Sequence, residues 1–126
     1  MGVLIMNVLI VDDDQLCHEV VRSILDKKGI ASQSCYNVDS ALDILSAHDF
    51  DLIVTDDIMP GRHGTDLIKT LREDGNTTPI IAMTAGHENA IDDYVIHAGM
   101  FADAALPKPL QRQEFLDVIE KLAPAM

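Results

Sequence analysis

Basic residues are scarce in this chain: nine Lys and Arg stand against 21 Asp and Glu, for a formal net charge of −12. Phosphates would be repelled before contact, which excludes direct nucleic-acid binding and anionic membrane surfaces. Long apolar runs are missing too. Although 48% of residues are hydrophobic, none of the runs approaches the about 20 residues needed to cross a bilayer. The opening Met1-Gly2-Val3-Leu4-Ile5-Met6 is short, lacks a basic flank and runs into a patterned strand, unlike a signal peptide. Position 6 is Met rather than Ser or Thr, so the myristoylation pattern fails as well. The two cysteines, Cys17 and Cys35, form no C-x-x-C pair and fall in apolar patterns. They read as reduced core thiols of a cytoplasmic protein. With no low-complexity tract, repeat or linker, residues 1–126 are expected to form one domain, large enough to bury an apolar core.

What is present is an alternation of apolar runs and helical patterns. Asn7 to Val11 is a continuous apolar run, as expected of a strand buried on both faces. Leu16, Val20 and Ile24 recur every four residues and predict the inner face of a helix that stops at Gly29. The more polar run from Ile30 to Tyr36 predicts an edge strand, and Val38, Ala41, Leu42 and Leu45 a second helix. Asp51 to Thr55 is a third strand ending at Asp56, followed by a loop punctuated by Pro60, Gly61 and Gly64 and a helix with Leu67, Ile68 and Leu71 inward. Pro79 to Thr84 is a fourth strand, with Pro at a tolerated first position. Ile91, Val95 and Ala98 predict a helix stopping at Gly99; a short strand at Ala104-Ala105-Leu106 and a helix with Phe115, Val118, Ile119 and Leu122 inward complete the chain. Five β–α units in series imply an α/β fold, a doubly wound five-stranded parallel sheet with helices on both faces.

Ligands of such sheets sit beyond the carboxyl ends of the strands. The first strand ends in Asp12-Asp13-Asp14, the third in Asp56-Asp57, the fourth in Thr84-Ala85, and Lys108 follows the fifth. Several carboxylates, a hydroxyl and an ammonium therefore converge on one edge. Each carboxylate pair at about 4 Å costs on the order of a few kcal/mol at an effective dielectric near 20, so the cluster takes up protons or binds a cation. Hard oxygen ligands with room for waters and a phosphate suit Mg²⁺. A free carboxylate beside the metal can attack phosphorus, while the metal and Lys108 neutralise the charge on the transferred oxygens.

These stretches closely resemble the receiver domain of two-component response regulators, the superfamily of the chemotaxis-type receivers. The residues that carry the resemblance are Val8 to Asp14, Asp51 to Gly61 with Gly64, Ile80 to Ala85, and Lys108-Pro109-Leu110, four pieces in the right order on the right strand ends. The resemblance implies the flavodoxin-like strand order 2-1-3-4-5 and five flanking helices. It makes Asp56, three residues before Met59-Pro60, the phosphoacceptor. Asp13 would ligate Mg²⁺ directly and Asp12 chiefly through water, with Asp56 and the Ile58 backbone carbonyl completing the protein ligands. Thr84 and Ala85 would meet the incoming phosphoryl group, Lys108 would pair with it, and the Lys108–Pro109 bond is a cis candidate. The implied phosphodonor is a histidine kinase or histidine phosphotransfer protein. Output would come from a downstream target or an output domain outside this sequence, through the fourth helix, fifth strand and fifth helix.

Simpler readings stand beside these. Asp57 rivals Asp56, but strand alternation lets only one face the acids of the first strand. Asp14 reads better as a helix N-cap than as a metal ligand. The five histidines form no ligand pair and read as solvated surface residues. The family often has a Tyr or Phe three residues before the lysine; here it is Ala105, so switching cannot use an aromatic at that place, and Phe101 from the neighbouring loop or helix and loop shifts without an aromatic are the alternatives. Ile58 and Gly86, two residues after Asp56 and Thr84, offer no side-chain base, and slow self-dephosphorylation is expected. A flavodoxin-like cofactor domain would need a Ser/Thr/Gly-rich phosphate cradle after the first strand, and an aspartyl-phosphate phosphatase would need a cap insertion. A receiver-like interaction module independent of phosphate is the remaining alternative.

Overall fold

The computed structural model describes residues 6–84 and 102–122. Five strands, β1 (Asn7–Val11), β2 (Ala31–Cys35), β3 (Leu52–Asp56), β4 (Ile80–Thr84) and β5 (Ala104–Pro107), form one sheet in the order β2-β1-β3-β4-β5, all neighbours parallel. The described helices are α1 (Gln15–Asp26), α2 (Val38–Ala47), α3 (Gly64–Glu73) and α4 (Arg112–Leu122). The helix expected around Ile91, Val95 and Ala98 lies outside the described residues, so four of the five expected helices are seen.

Strand alternation divides the core in two. Val8, Ile10, Leu52, Val54, Ile81, Met83 and Leu106 face α1 and α4, where Val21, Ile24, Leu25, Phe115 and Ile119 cover them. Leu9, Val11, Ile53, Ile80 and Ala82 face α2 and α3, against Val38, Ala41, Leu67, Ile68 and Leu71. Both faces being apolar is what makes β1, β3 and β4 read as unbroken hydrophobic runs. The polar run of β2 forms an edge, with Ala31 and Gln33 exposed.

The expected inner face of α1 needs correction. Leu16 is 65% exposed and Val20 39%, whereas His18, Val21, Ile24 and Leu25 are buried. Four-residue spacing identifies a helix, but here the packed stripe lies one step further round, and only Ile24 of the expected three belongs to it. His18, expected on the solvated surface, is fully buried on that stripe. Asp14 caps α1 as expected, accepting from the Leu16 N–H at 3.0 Å.

Candidate functional site

The sheet order reverses at β1, since β2 lies on one side of it and β3 on the other. Ligands of open α/β sheets bind at such a switch point. Val11 pairs with Thr55, so the next residues, Asp12 and Asp56, stand level at the carboxyl ends of adjacent strands. Alternation also gives Asp56 the same face as Val54 and Asp12 the same face as Ile10, turned towards α1. Asp12, Asp13 and Asp56 each bring a carboxylate oxygen within 4.8 Å of the others, and Asp57 is not part of this group. Asp12 and Asp56 are buried, whereas Asp13 is exposed at the mouth.

Lys108, carried in by β5, bridges two of these acids. Its Nζ lies 2.7 Å from Asp12 Oδ2 and 3.2 Å from Asp56 Oδ1. Its backbone N–H donates to the Thr84 carbonyl at 2.8 Å, tying the end of β5 to the end of β4. The Lys108–Pro109 peptide is cis. Thr84 is fully buried, and its Oγ1 has no hydrogen-bond partner among the described residues. A buried hydroxyl without a partner is uncommon and marks a place where a further group fits. Ala85 lies outside the described residues, as do Gly86 and Phe101. The Ile58 side chain is 65% exposed beside the site, while its neighbour Met59 is buried and anchors the loop.

The two buried acids are tuned in opposite directions. Burial works to raise Asp12, but the nearby Cys17 thiol, hydrogen bonds from Lys108 and the Asp14 N–H, and the Lys108 charge hold it below its ordinary value. Burial and the Asp12 charge push Asp56 up to about 6, against the pull of Lys108. Burial works to lower Lys108, yet its bond to Asp12 and the surrounding negative charge raise it above its ordinary value. At neutral pH the cluster thus carries more negative charge than one lysine cancels. An oxygen-only donor set with one exposed and two buried carboxylates suits a hard divalent cation such as Mg²⁺.

Three other residues shape the site, and sequence reading assigned none of them a role there. Gly64, at the start of α3, packs on the backbone of β3: a Cβ there would lie 2.0 Å from the Asp56 carbonyl oxygen. Its N–H donates to the Asp57 carbonyl at 3.0 Å. Cys17, half-buried on α1, donates from Sγ to Met83 Sδ at 3.8 Å; burial and the nearby Asp12 carboxylate raise its thiol to about 12. It also lines an open cavity of about 270 Å³ with Leu16, Val20, Lys108 and Pro109. His18 donates from Nε2 to the Asp12 carbonyl at 2.8 Å. Its spacing of three and seven residues from Val21 and Leu25 was the available signal that it faces inward.

Comparison with known proteins agrees with this picture. The family model for the response regulator receiver domain matches residues 8–120. The response regulator MprA of Mycobacterium avium (strain 104) is 32% identical over 111 residues, 88% of this chain and 48% of MprA. This chain thus spans about half the length of the curated relatives it matches. A putative response regulator from Chloroflexus aurantiacus J-10-fl superposes with a TM-score of 0.86 at 26% identity, covering 94% of this chain and 98% of that one. The Francisella response regulator 1452 receiver domain gives 0.84 at 25% identity, covering 94% and 96%. Among the described residues no helix is long and apolar enough to cross a membrane.

Proposed function

The chain belongs to the response regulator receiver domain family of two-component signalling, and from that premise we propose that Asp56 is its phosphoacceptor, assisted by Mg²⁺. The observation that carries this reading is the convergence of the Asp12, Asp13 and Asp56 oxygens within 4.8 Å, with Lys108 Nζ between two of them.

In this reading Asp13 and Asp56 would hold the metal directly and Asp12 chiefly through water, with the Ile58 carbonyl as a further ligand. When bound, Mg²⁺ would supply positive charge to offset that of the phosphoryl oxygens. Even without a metal, Asp56 at about 6 is ionised at neutral pH, and its carboxylate is able to attack phosphorus. The bond from phosphorus to the donor breaks: an imidazole nitrogen takes up a proton from solvent as it leaves, whereas acetyl phosphate releases acetate as the carboxylate. Lys108, already beside Asp56, then pairs with a phosphoryl oxygen. The Thr84 hydroxyl, which has no partner among the described residues, donates to another. Phosphorylation adds about one and a half to two negative charges to a packed site, which biases the fold towards a second arrangement.

The proposed donor is a histidine kinase or a histidine phosphotransfer protein. Output passes to a downstream protein or an attached output domain. Ala105, half-buried against the α2–α3 side, leaves no aromatic at that place, so the switch works through loop and helix shifts. Both cysteines are unpaired, as suits the cytoplasm expected for such signalling.

The test is intact mass after incubation with Mg²⁺ and acetyl phosphate. A single phosphoryl adduct, abolished by omitting Mg²⁺ and in Asp56→Asn, supports the reading. If a phosphohistidine donor protein also leaves no adduct, the chain is instead a phosphate-independent interaction module.

A further inference from the structure

The buried histidine of α1 has no part in the chemistry above, yet it is bonded to the backbone of the acidic site. His18 is fully buried. Its Nε2 lies 2.8 Å from the Asp12 carbonyl oxygen, and since a carbonyl only accepts, Nε2 carries the hydrogen. The other ring nitrogen, Nδ1, has no partner among the described residues. Among the described residues one polar bond orients the ring, and packing does the rest. The Tyr36 ring lies against it, with centroids 4.5 Å apart at 51°. Tyr36 is in turn held by its hydroxyl, which donates to Gln15 Oε1 at 2.7 Å.

The Asp12 backbone is thus gripped on both sides. Its N–H donates to the Cys35 carbonyl of β2 at 3.2 Å, and its carbonyl accepts from His18. That carbonyl belongs to the planar peptide joining Asp12 to Asp13, so holding it also holds the Asp13 N and Cα from which that side chain leaves. The Asp12 carboxylate has anchors of its own in Lys108 and the Asp14 N–H. Asp13, exposed at the mouth, depends far more on its backbone.

We infer that, given the reading of Asp12, Asp13 and Asp56 as a Mg²⁺ site, His18 is a positioning residue that holds the Asp12–Asp13 peptide so that Asp13 meets the metal. Removing its donor leaves a buried carbonyl unsatisfied, a strain the peptide relieves by rotating, and Asp13 swings with it. Partners of this outer kind change metal affinity about 10–100-fold when lost.

The experiment is a calorimetric Mg²⁺ titration of the wild type, His18→Leu, which keeps the volume but not the donor, and His18→Gln, whose amide reaches where Nε2 does. Asp56→Asn serves as reference, and acetyl phosphate rates at saturating Mg²⁺ are taken alongside. The expected result is a Mg²⁺ Kd raised 10-fold or more in His18→Leu, restored to within about 3-fold in His18→Gln, with the saturated phosphorylation rate of both near wild type. Equal Mg²⁺ affinity in a folded His18→Leu overturns the inference and leaves the functional reading standing. So does an equal loss in both variants, which would make His18 a packing residue. Should His18→Leu not fold, His18→Phe replaces it as the variant without a donor: a wild-type Kd there overturns the inference, and a raised Kd that His18→Gln restores supports it. A wild type that binds no Mg²⁺, or binds it unchanged in Asp56→Asn, overturns the functional reading and the inference with it.

Discussion

The start of α3 leaves no room for a side chain, and Gly64→Ala is the sharpest perturbation of the site that avoids every carboxylate. The new Cβ would lie 2.0 Å from the Asp56 carbonyl oxygen, 3.0 Å from its carbon and 3.2 Å from Asp57 Cα. Real Cβ atoms do not approach within 3.0 Å, and the obstructing atoms are strand backbone rather than a flexible side-chain end. Either α3 retreats or the end of β3 shifts. Overpacking of this kind costs about 1–3 kcal/mol, here near the upper end. Weakening the 3.0 Å bond from the Gly64 N–H to the Asp57 carbonyl adds about 1 kcal/mol. The reduced freedom of the unfolded chain returns about 0.4–1 kcal/mol. A net loss of about 2–4 kcal/mol corresponds to a fall in Tm of about 10 °C for a domain of this size. Because Asp56 itself must move, phosphorylation by acetyl phosphate should slow by about 10²-fold, the scale of a 1 Å misplacement. Gly75→Ala is the control: its φ is +82° with nothing within 4 Å of a Cβ, so it should cost about 1–2 kcal/mol of strain and leave the phosphorylation rate unchanged. Differential scanning calorimetry with an acetyl phosphate time course reads both quantities. A Gly64→Ala protein within 2 °C of wild type by calorimetry, or phosphorylated at the wild-type rate, would refute the close-packing argument; such a shift is well under one kcal/mol at about 3–6 °C per kcal/mol.

Stability without Mg²⁺ should fall as pH rises from about 4 to about 6. Asp56 is raised to about 6 from 3.8, so the folded state holds a proton the unfolded state has released, a loss of up to roughly 3 kcal/mol. Asp12, lowered, acts in the opposite sense but only below 3.8. Mg²⁺ should therefore stabilise strongly at pH 7.5 and little at pH 5, and Asp56→Asn should flatten both trends; a level Tm between pH 4.5 and 7 contradicts this. Lys108→Met strips the partner from two buried carboxylates and should cost about 3–5 kcal/mol at pH 7.5 without Mg²⁺, with Mg²⁺ restoring part of it; urea unfolding measures the loss. Ile58→Asn, at an exposed position beside Asp56, should speed loss of the phosphoryl group, and decay of the adduct no faster than in wild type would count against a water-excluding role for Ile58.

The strand ends were legible because burial on both faces and strict strand alternation leave few solutions. Asp12 and Asp56 had to meet once β1 and β3 were neighbours. The edge strand announced itself through Ser32, Gln33 and Ser34. What could not be read was the rotation of α1 about its axis. Leu16 and Val20 satisfy helical spacing as well as Val21 and Leu25 do, and only contact with the sheet decides which pair is covered. His18 was missed for the same reason, compounded by its polarity, since its single bond to a backbone carbonyl is invisible in a side-chain pattern. Gly64 reads as loop punctuation until the 2.0 Å approach to Asp56 is seen.

The central claim is that one carboxylate, Asp56, takes the phosphoryl group. An acyl phosphate, unlike a free carboxylate, is reduced by borohydride to an alcohol, leaving homoserine where the aspartate stood. Peptide mass spectrometry after incubation with acetyl phosphate, with and without Mg²⁺, and borohydride treatment should find homoserine at position 56 alone and only when Mg²⁺ was present. Homoserine at Asp57, Asp12 or Asp13, or at position 56 regardless of the metal, would contradict the account.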